Sequence, residues 1–470
     1  MRLRRLFSWQ KSSVVWFLID FVIGVSAVFI AYRGQSLPID LRTLEPMPLH
    51  PGAIPAGLVF GSVLGFSYYA FGGEAREWRK YSWQRNILIS LSCVAVASIA
   101  LVLVFFLFFL QIGRVIVLTV AIVAFVVSYL VRLVVFSRIE LEKRRLLLIT
   151  DEDHQPSGQM SALLSSYYDL AQIDRKDLKS TSPSEWIEEW VDLGVQDVVF
   201  VSRCDPEITE PLLAECWRMG LSFVEWNYFV ESTFRKLNVY DQHLDWLMHF
   251  GQQYAHPAYS KLKRAMDIML SLIGLIAFSP LLLVGIALVS LGRDGPIFFK
   301  QPRVGARGSV FTLWKLRTMK VVDRSGDSPV AQAETAVEAS NEKRKETGHL
   351  FPSADKSRIT AVGRFLRITR IDELPQLMHV LVGDMSLVGP RPEWTEVARK
   401  WEKEFSFYPY RTLVKPGLTG WAQVNFSYAE TREEVLEKLS YDFYYIKHAS
   451  MGLDLRIILR TVSAMIEGGR

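Results

Sequence analysis

Clustered cysteines, a strong net charge and a glycine-rich phosphate turn are all missing from this chain, and each absence removes a class of function. The three cysteines, Cys93, Cys204 and Cys216, have neither metal-ligand nor disulfide-framework spacing, which fits a reducing cytoplasm. The net charge is only +5 over 470 residues. It gives no reason to expect nucleic-acid binding. A nucleotide-binding α/β domain should carry glycines directly after its first strand, but the turn here is Asp151-Glu152-Asp153-His154-Gln155-Pro156-Ser157-Gly158. Acidic and nearly glycine-free, it would repel a pyrophosphate rather than cradle it. The first apolar run also lacks a small-residue cleavage site, so it reads as a retained span rather than a signal peptide.

What the chain does have is apolar sequence in blocks. Half of its residues are apolar, and they cluster as membrane segments do. Four runs, at roughly residues 13–32, 54–72, 86–110 and 112–131, are each about long enough to cross a bilayer. Basic residues flank them: Arg76, Arg79, Lys80 and Arg85 between the second and third runs, and Arg132, Arg138, Lys143, Arg144 and Arg145 at the exit of the fourth. The positive-inside rule puts both clusters and the N-terminus in the cytoplasm. Such residues would also meet anionic lipid headgroups.

A fifth apolar run, Ile268 to Leu291, is interrupted by Ser279-Pro280. Proline removes a backbone hydrogen bond and a serine hydroxyl can satisfy the freed carbonyl, so a sharp bend is expected there. Lys261, Lys263 and Arg264 precede this run, and Arg293, Lys300, Arg303 and Arg307 follow it. A straight span would put one cluster outside the cell. A re-entrant helix over residues 266–292 keeps both inside.

Between the fourth and fifth runs, Arg145–Thr150 and Asp197–Val201 read as buried strands, with helical stretches near Ser184–Leu193 and Pro211–Met219. That alternation predicts a small parallel α/β domain over residues 144–250, Rossmann-like but degenerate at its nucleotide turn. Two shorter patterns there carry little weight. Asp151-x-Asp153 is more often a solvated turn than a metal-held nucleotide-sugar site, and Tyr259-x-x-x-Lys263 lacks the glycine-rich partner that a dehydrogenase would need.

The most informative stretch is Arg370-Ile371-Asp372-Glu373-Leu374-Pro375. Pro375 favours a helix whose first turn holds both carboxylates, where the positive end of the helix dipole suits a nucleophile beside a metal ligand. In isolation, such a pair is more often a cap and a solvated acid. Here Arg358, Arg364, Arg367 and Arg370 precede it, and Arg391 follows between Pro390 and Pro392. Surroundings this basic would accept a phosphate-rich substrate.

From Lys261 onward the chain closely resembles the monotopic bacterial phosphoglycosyl transferases, or undecaprenyl-phosphate sugar-phosphate transferases. The resemblance runs through Lys263-Arg264-Ala265-Met266-Asp267, Gly295 to Gly305, Phe311 to Met319, the acidic pair, Gly383 to Pro392 and Lys415 to Val424. It implies that Asp372 is a nucleophile attacking the sugar-proximal phosphorus of a UDP-sugar, and that undecaprenyl phosphate then takes the phosphosugar. It implies magnesium as cofactor, for which Glu373 is the candidate ligand because an oxygen donor suits a hard cation. Lys315, Arg317 and Arg391 are implied phosphate contacts, with Arg358, Arg367 and Pro390 around them. Asp442, in Tyr441 to Ile446, and Asp454 match the family's C-terminal pattern, where acids orient site groups.

The architecture expected is a membrane protein of α plus α/β class. A four-helix transmembrane bundle occupies residues 1–140, and the α/β cytoplasmic domain residues 144–250. Residues 258–470 form a transferase domain, in which the re-entrant helix leads into a mainly α-helical cytoplasmic catalytic part on the bacterial inner membrane. Membrane lipids are partners, and a span bundle plus an α/β module with no evident ligand suggests a homodimer. The expected role is to start a lipid-linked glycan for exopolysaccharide, capsule or O-antigen. The polar insert Val322 to Ser353 departs from the family and reads as a mobile loop or short helix near the site. A scaffold with an inactive transferase domain is disfavoured by the intact acidic pair and Arg391. A membrane-attached nucleotide-sugar epimerase or dehydratase is disfavoured by the turn after Thr150.

Overall fold

The computed structural model describes residues 13–35, 53–71, 83–107, 114–138, 144–151, 155–156, 158–174, 177, 183–201, 206–239, 256–292, 295–320, 359–426 and 431–466. The insert Val322 to Ser353, Arg358 and the basic loop Arg76 to Lys80 lie outside them. Two compact units emerge: one comprises residues 1–139, 251–431 and 445–470, and the other residues 140–250 and 432–444.

The first unit opens with four apolar helices: α1 (Ser13–Gln35), α2 (Ala53–Phe71), α3 (Trp83–Leu107) and α4 (Arg114–Arg138). They share one core, to which α1 gives Val28, α2 Phe60 and Leu64, α3 Leu101 and α4 Val120. Their outer faces carry exposed Leu18, Ile54, Ile99 and Leu118, the inside-out pattern of helices facing lipid. By length and composition, Val15–Arg33, Val115–Val135 and the later Pro257–Leu291 can cross a membrane, while Ala53–Tyr69 and Ile89–Val104 are shorter.

Arg132 departs from its expected place. Counted from sequence among cytoplasmic surface cations, it is fully buried, and it pairs with Asp20 through Nη1–Oδ1 at 2.8 Å and Nη2–Oδ2 at 2.6 Å. Its guanidinium also lies 3.5 Å from the Tyr68 ring centroid. An isolated charge at this depth is expensive, but a bidentate pair over an aromatic face is tolerated. The pair ties α1 to α4.

The second unit is built on a parallel sheet of β1 (Arg144–Thr150), β2 (Tyr168–Asp174), β3 (Val195–Phe200) and β4 (Ser222–Glu225), in the order β2-β1-β3-β4. Side chains alternate across a strand, so Leu147, Ile149, Val198 and Phe200 face one core with α6 (Pro183–Asp192) and α7 (Pro206–Met219). Leu146, Leu148 and Val199 face the other, with α5 (Gly158–Tyr167) and α8 (Trp226–Phe234). Helices thus cover both faces, as a parallel sheet requires. Residues Arg432–Tyr444 complete this unit, and Lys236 Nζ pairs with Glu437 Oε1 at 2.5 Å.

The rest of the first unit begins with α9 (Pro257–Leu291), one 35-residue helix that continues through Pro280. Proline at 280 cannot donate to the carbonyl four residues back, that of Ile276. The Ser279 hydroxyl donates to that same carbonyl at 2.8 Å, so the interruption is satisfied without breaking the helix. An antiparallel hairpin follows, β5 (Phe298–Val304) and β6 (Val310–Leu316), then α10 (Ala361–Thr369), α11 (Gln376–Val382), β7 (Ser386–Val388), α12 (Thr395–Glu404) and β8 (Gly417–Thr419). The hairpin and the parallel β7–β8 pair add sheet to a region expected to be mainly helical. The last helices are α13 (Trp421–Asn425), α14 (Arg432–His448) and α15 (Met451–Ile466).

Two buried acids fasten α9 to this body. Asp454 on α15 accepts from Tyr259 Oη at 2.8 Å, Tyr445 Oη at 2.8 Å and Lys263 Nζ at 3.1 Å. The Tyr259-x-x-x-Lys263 spacing therefore serves a buried carboxylate. Asp267 accepts from Ser386 Oγ at 3.1 Å and the Leu387 amide at 3.0 Å.

Candidate active site

The acidic pair sits where the second half of α9 meets α10 and β6. Leu366, Ile371, Leu316 and Val289 form one small core. Gly285 of α9 lets them close in, because a Cβ there would lie 3.0 Å from both Ile371 Cγ2 and Leu316 Cδ1. Ile371 and Leu374 are apolar anchors on either side of the two carboxylates, which holds the turn against the membrane helix.

The local geometry differs from the expectation. Asp372 and Glu373 lie in a separate 3-10 turn, Ile371–Glu373, and α11 begins only at Gln376 with Pro375 as its N-cap. What redirects the chain is Arg370, which ends α10 in the left-handed region at φ 58°. A non-glycine residue there carries strain of about 1–2 kcal/mol. Helix α10 itself is set by the Thr360 N-cap, whose hydroxyl accepts from the Gly363 amide at 2.8 Å. Gly363 packs directly on Thr318, and a Cβ there would sit 1.9 Å from the Thr318 carbonyl.

The two carboxylates are held in different electrostatic states. Asp372 is buried, and its Oδ1 has no hydrogen-bond partner among the described residues. Burial, reinforced by the neighbouring Glu373, pushes its carboxyl up to about 6 against the pull of Lys315, Arg367 and Arg370. Burial also works against the charge on Glu373, but Lys315, Arg391 and Arg370 outweigh it and draw that carboxyl down to about 2. Glu373 Oε1 meets Lys315 Nζ at 3.1 Å and Arg370 Nη1 at 3.7 Å. Burial lowers the Lys315 ammonium more than Glu373 restores it.

Arg391 is presented to this cluster by a loop whose backbone is pinned residue by residue. The Gly389 amide donates to Thr419 O at 2.9 Å, and the Gly417 amide donates to the carbonyl of buried Pro390 at 2.8 Å. The Arg391 carbonyl accepts from Arg411 Nη2 at 3.1 Å, and that of Pro392 from Arg303 Nη1 at 2.9 Å. The Val304 amide closes the series on Glu393 O at 3.0 Å. The guanidinium of Arg391 itself makes no hydrogen bond or ion pair with a described residue. The loop thus fixes the backbone from which Arg391 extends, and its guanidinium carries donors that suit a planar anion.

The predicted site residues therefore separate. Asp372, Glu373, Lys315 and Arg391 come together, with Arg367 at the edge, its Nε donating to Thr318 Oγ1 at 3.0 Å. Arg317 instead directs Nη1 to Pro296 O at 2.7 Å and Nη2 to Val289 O at 3.0 Å, joining β6 to the end of α9. Asp442 is buried on α14 within the α/β unit and not in the body that carries Asp372. Sequence reading gave no role to Gln376, which is buried one turn beyond Asp372 with Nε2 unpartnered. It also missed Arg303 and Arg411, which hold the Arg391 loop.

No group of three or more His, Cys, Asp or Glu side chains poised to hold a metal occurs among the described residues. The orphaned Asp372 Oδ1 and the adjacent Glu373 nevertheless fit magnesium. That ion usually takes one or two protein carboxylates and completes its shell with water and phosphate.

The acidic turn thus sets a buried carboxylate among Lys315, Arg367 and Arg370, packed against the apolar helix α9. The family model for bacterial sugar transferases matches residues 258–468. The chain is 38% identical over 205 residues to the uncharacterized sugar transferase EpsL of Bacillus subtilis (strain 168), covering 44% of this chain and 87% of that protein. It belongs to the bacterial sugar transferase family. It is also similar to the UDP-N-acetylgalactosamine-undecaprenyl-phosphate N-acetylgalactosaminephosphotransferase of Aeromonas hydrophila, 37% identical over 218 residues, 46% of this chain and 47% of that protein. A third relative is the UDP-glucose:undecaprenyl-phosphate glucose-1-phosphate transferase of Escherichia coli (strain K12), 37% identical over 203 residues, 43% of this chain and 39% of that protein. The chain thus spans about half or less of these two longer relatives.

Proposed function

We propose that the protein transfers a sugar-1-phosphate from a UDP-sugar to undecaprenyl phosphate, starting a lipid-linked glycan. The observation that carries this reading is the buried Asp372 oxygen, without a partner among the described residues, next to a Glu373 whose charge is held by Lys315 and Arg391. In the first step the Asp372 carboxylate attacks the sugar-proximal phosphorus, the bond to the bridging oxygen breaks, and UMP leaves with both electrons. The product is a sugar-phosphoryl aspartate. In the second step a phosphate oxygen of undecaprenyl phosphate attacks the same phosphorus, forming the diphosphate and returning Asp372 as a carboxylate. A carboxylate is a weak nucleophile that phosphate repels, so Lys315 and Arg391 are needed to neutralise substrate charge, while Glu373 keeps Lys315 in place. Glu373 would hold magnesium, which when bound neutralises charge on the diphosphate.

The contacts of α9 support a re-entrant placement with both ends on one side of the membrane. Residues on both sides of Pro280 are held by the same body: Arg264 and Asp267 before it, Gly285 and Val289 after it. Exposed Ile273, Ile276, Phe278, Leu281 and Leu283 lie between. A dip into one leaflet buries this apolar middle in lipid and keeps both ends at one surface, where nucleotide sugar and lipid phosphate both reach Asp372.

The test is to incubate the solubilised protein with magnesium and a panel of UDP-sugars, measuring UMP release and searching for an adduct on the peptide containing Asp372. UMP release that chelation stops and magnesium restores is expected. Asp372→Asn should release no UMP, and full transfer by that variant would remove Asp372 as the nucleophile.

A further inference from the structure

Beyond the acidic turn, where the N-terminal half of α9 meets α11, two cations converge on one corner. Arg264 donates through Nη1 to Val380 O and through Nη2 to Leu381 O, each at 2.6 Å, capping the last turn of α11. That helix ends at Gly383, whose φ of 104° disfavours any side chain. A Cβ at Gly383 would lie 3.3 Å from Lys415 Nζ and 3.4 Å from Arg264 Nη2, so both cations reach one point in space.

No described acid pairs with either cation at this corner. Lys415 makes no hydrogen bond or ion pair with a described residue. The nearby acids face other partners: Asp267 is held by Ser386 and Leu387, and Asp384 Oδ2 lies 3.1 Å from His379 Nδ1. Burial and the neighbouring Arg264 lower the Lys415 ammonium despite the opposing pull of Asp267 and Asp384. A second cation held close to the first, with neither paired to a described acid, favours an anion between them.

The surroundings say what kind of anion. Val382, next to Gly383, is 74% exposed, and Met378, one turn back, is 47% exposed. Ile268, one turn on from Arg264 along α9, is 41% exposed. A soluble phosphate would gain nothing from these side chains, whereas a lipid phosphate brings acyl chains to cover them. We infer that Arg264 and Lys415, converging over Gly383, bind the headgroup phosphate of an anionic phospholipid where α9 enters the membrane. The site is separate from the acidic turn and does not depend on the transferase reading.

The experiment uses the full-length protein in detergent with phosphatidylglycerol, phosphatidylcholine or undecaprenyl phosphate, bound lipid being counted by native mass spectrometry. Phosphatidylglycerol should bind about tenfold more tightly than phosphatidylcholine, a difference of about 1.4 kcal/mol. Lys415→Gln should abolish that preference and Lys415→Arg should keep it. Equal binding of the two phospholipids by the native chain would overturn the site, as would a preference that survives Lys415→Gln. Lys415-dependent binding of undecaprenyl phosphate alone would overturn it too, making the corner an acceptor subsite. Should Lys415→Gln fail to fold, a phosphatidylglycerol with a photoreactive headgroup decides on the native chain. Labelling of the Lys415 or Gly383 peptides sustains the site, and labelling elsewhere overturns it.

Discussion

Replacing Arg391 and Arg317 separately by alanine distinguishes a cation aimed at substrate from one that holds the fold. Both stand in the same basic motif set, yet Arg317 is buried with Nη1 and Nη2 on the carbonyls of Pro296 and Val289. Each hydrogen bond from a charged group contributes about 1.5–3 kcal/mol, and truncation leaves both carbonyls without a partner. Arg317→Ala should therefore destabilise the catalytic body by about 3–5 kcal/mol. At about 2–4 °C per kcal/mol for a domain of this size, its unfolding midpoint falls by about 6–20 °C. Arg391→Ala removes a guanidinium that makes no hydrogen bond or ion pair with a described residue, so stability should change by less than about 1 kcal/mol. Its UMP-release rate should instead fall about 10²–10³-fold, as when one preorganised donor to a developing anion is lost. Thermal unfolding in detergent and initial rates of UMP release read the two effects independently. The reasoning fails if Arg391→Ala unfolds as early as Arg317→Ala, or if it keeps more than about a tenth of the native rate.

Two further expectations follow from the site and the membrane helix. With the Asp372 carboxyl raised to about 6, UMP release should fall as pH drops through about 6. A profile flat down to about pH 4.5 would show the attacking group to be another. The linked stability terms have opposite signs. The raised Asp372 stabilises the fold most below its unfolded value of 3.8 and loses that contribution as pH rises through about 6. The depressed Glu373 stabilises above 4.5 and loses its contribution as pH falls through about 2. For topology, a cysteine at Gly292, just after α9, should react with a membrane-impermeant maleimide only in inverted vesicles. Labelling of intact cells would place that end outside and refute the re-entrant arrangement.

Hydrophobic blocks and local motifs reveal much of this protein before any coordinates. The apolar runs mark where α1 to α4 and α9 lie, because a helix in lipid needs only length and apolarity to be recognised. Strands β1 and β3 are legible because buried parallel strands are continuous apolar runs. Asp372, Glu373, Lys315 and Arg391 are all visible as chemistry-bearing residues.

Only the tertiary structure decided what those residues face. Arg317 and Arg391 carry the same guanidinium, yet one donates to two backbone carbonyls and the other to none among the described residues. Nothing local in the sequence distinguishes them, because their partners come from segments far away in the chain. The same holds for Arg132, which reads as a surface charge until α1 brings Asp20 beside it. It holds for the acidic pair too, whose turn is set by a left-handed Arg370 and by Ile371 packed on Gly285, rather than by the helix that Pro375 suggests. Side-chain type and apolar periodicity are local properties that sequence alone determines. Partnership and burial are properties of the folded chain, and they are what turn two adjacent carboxylates into a poised acid and a salt-bridged one.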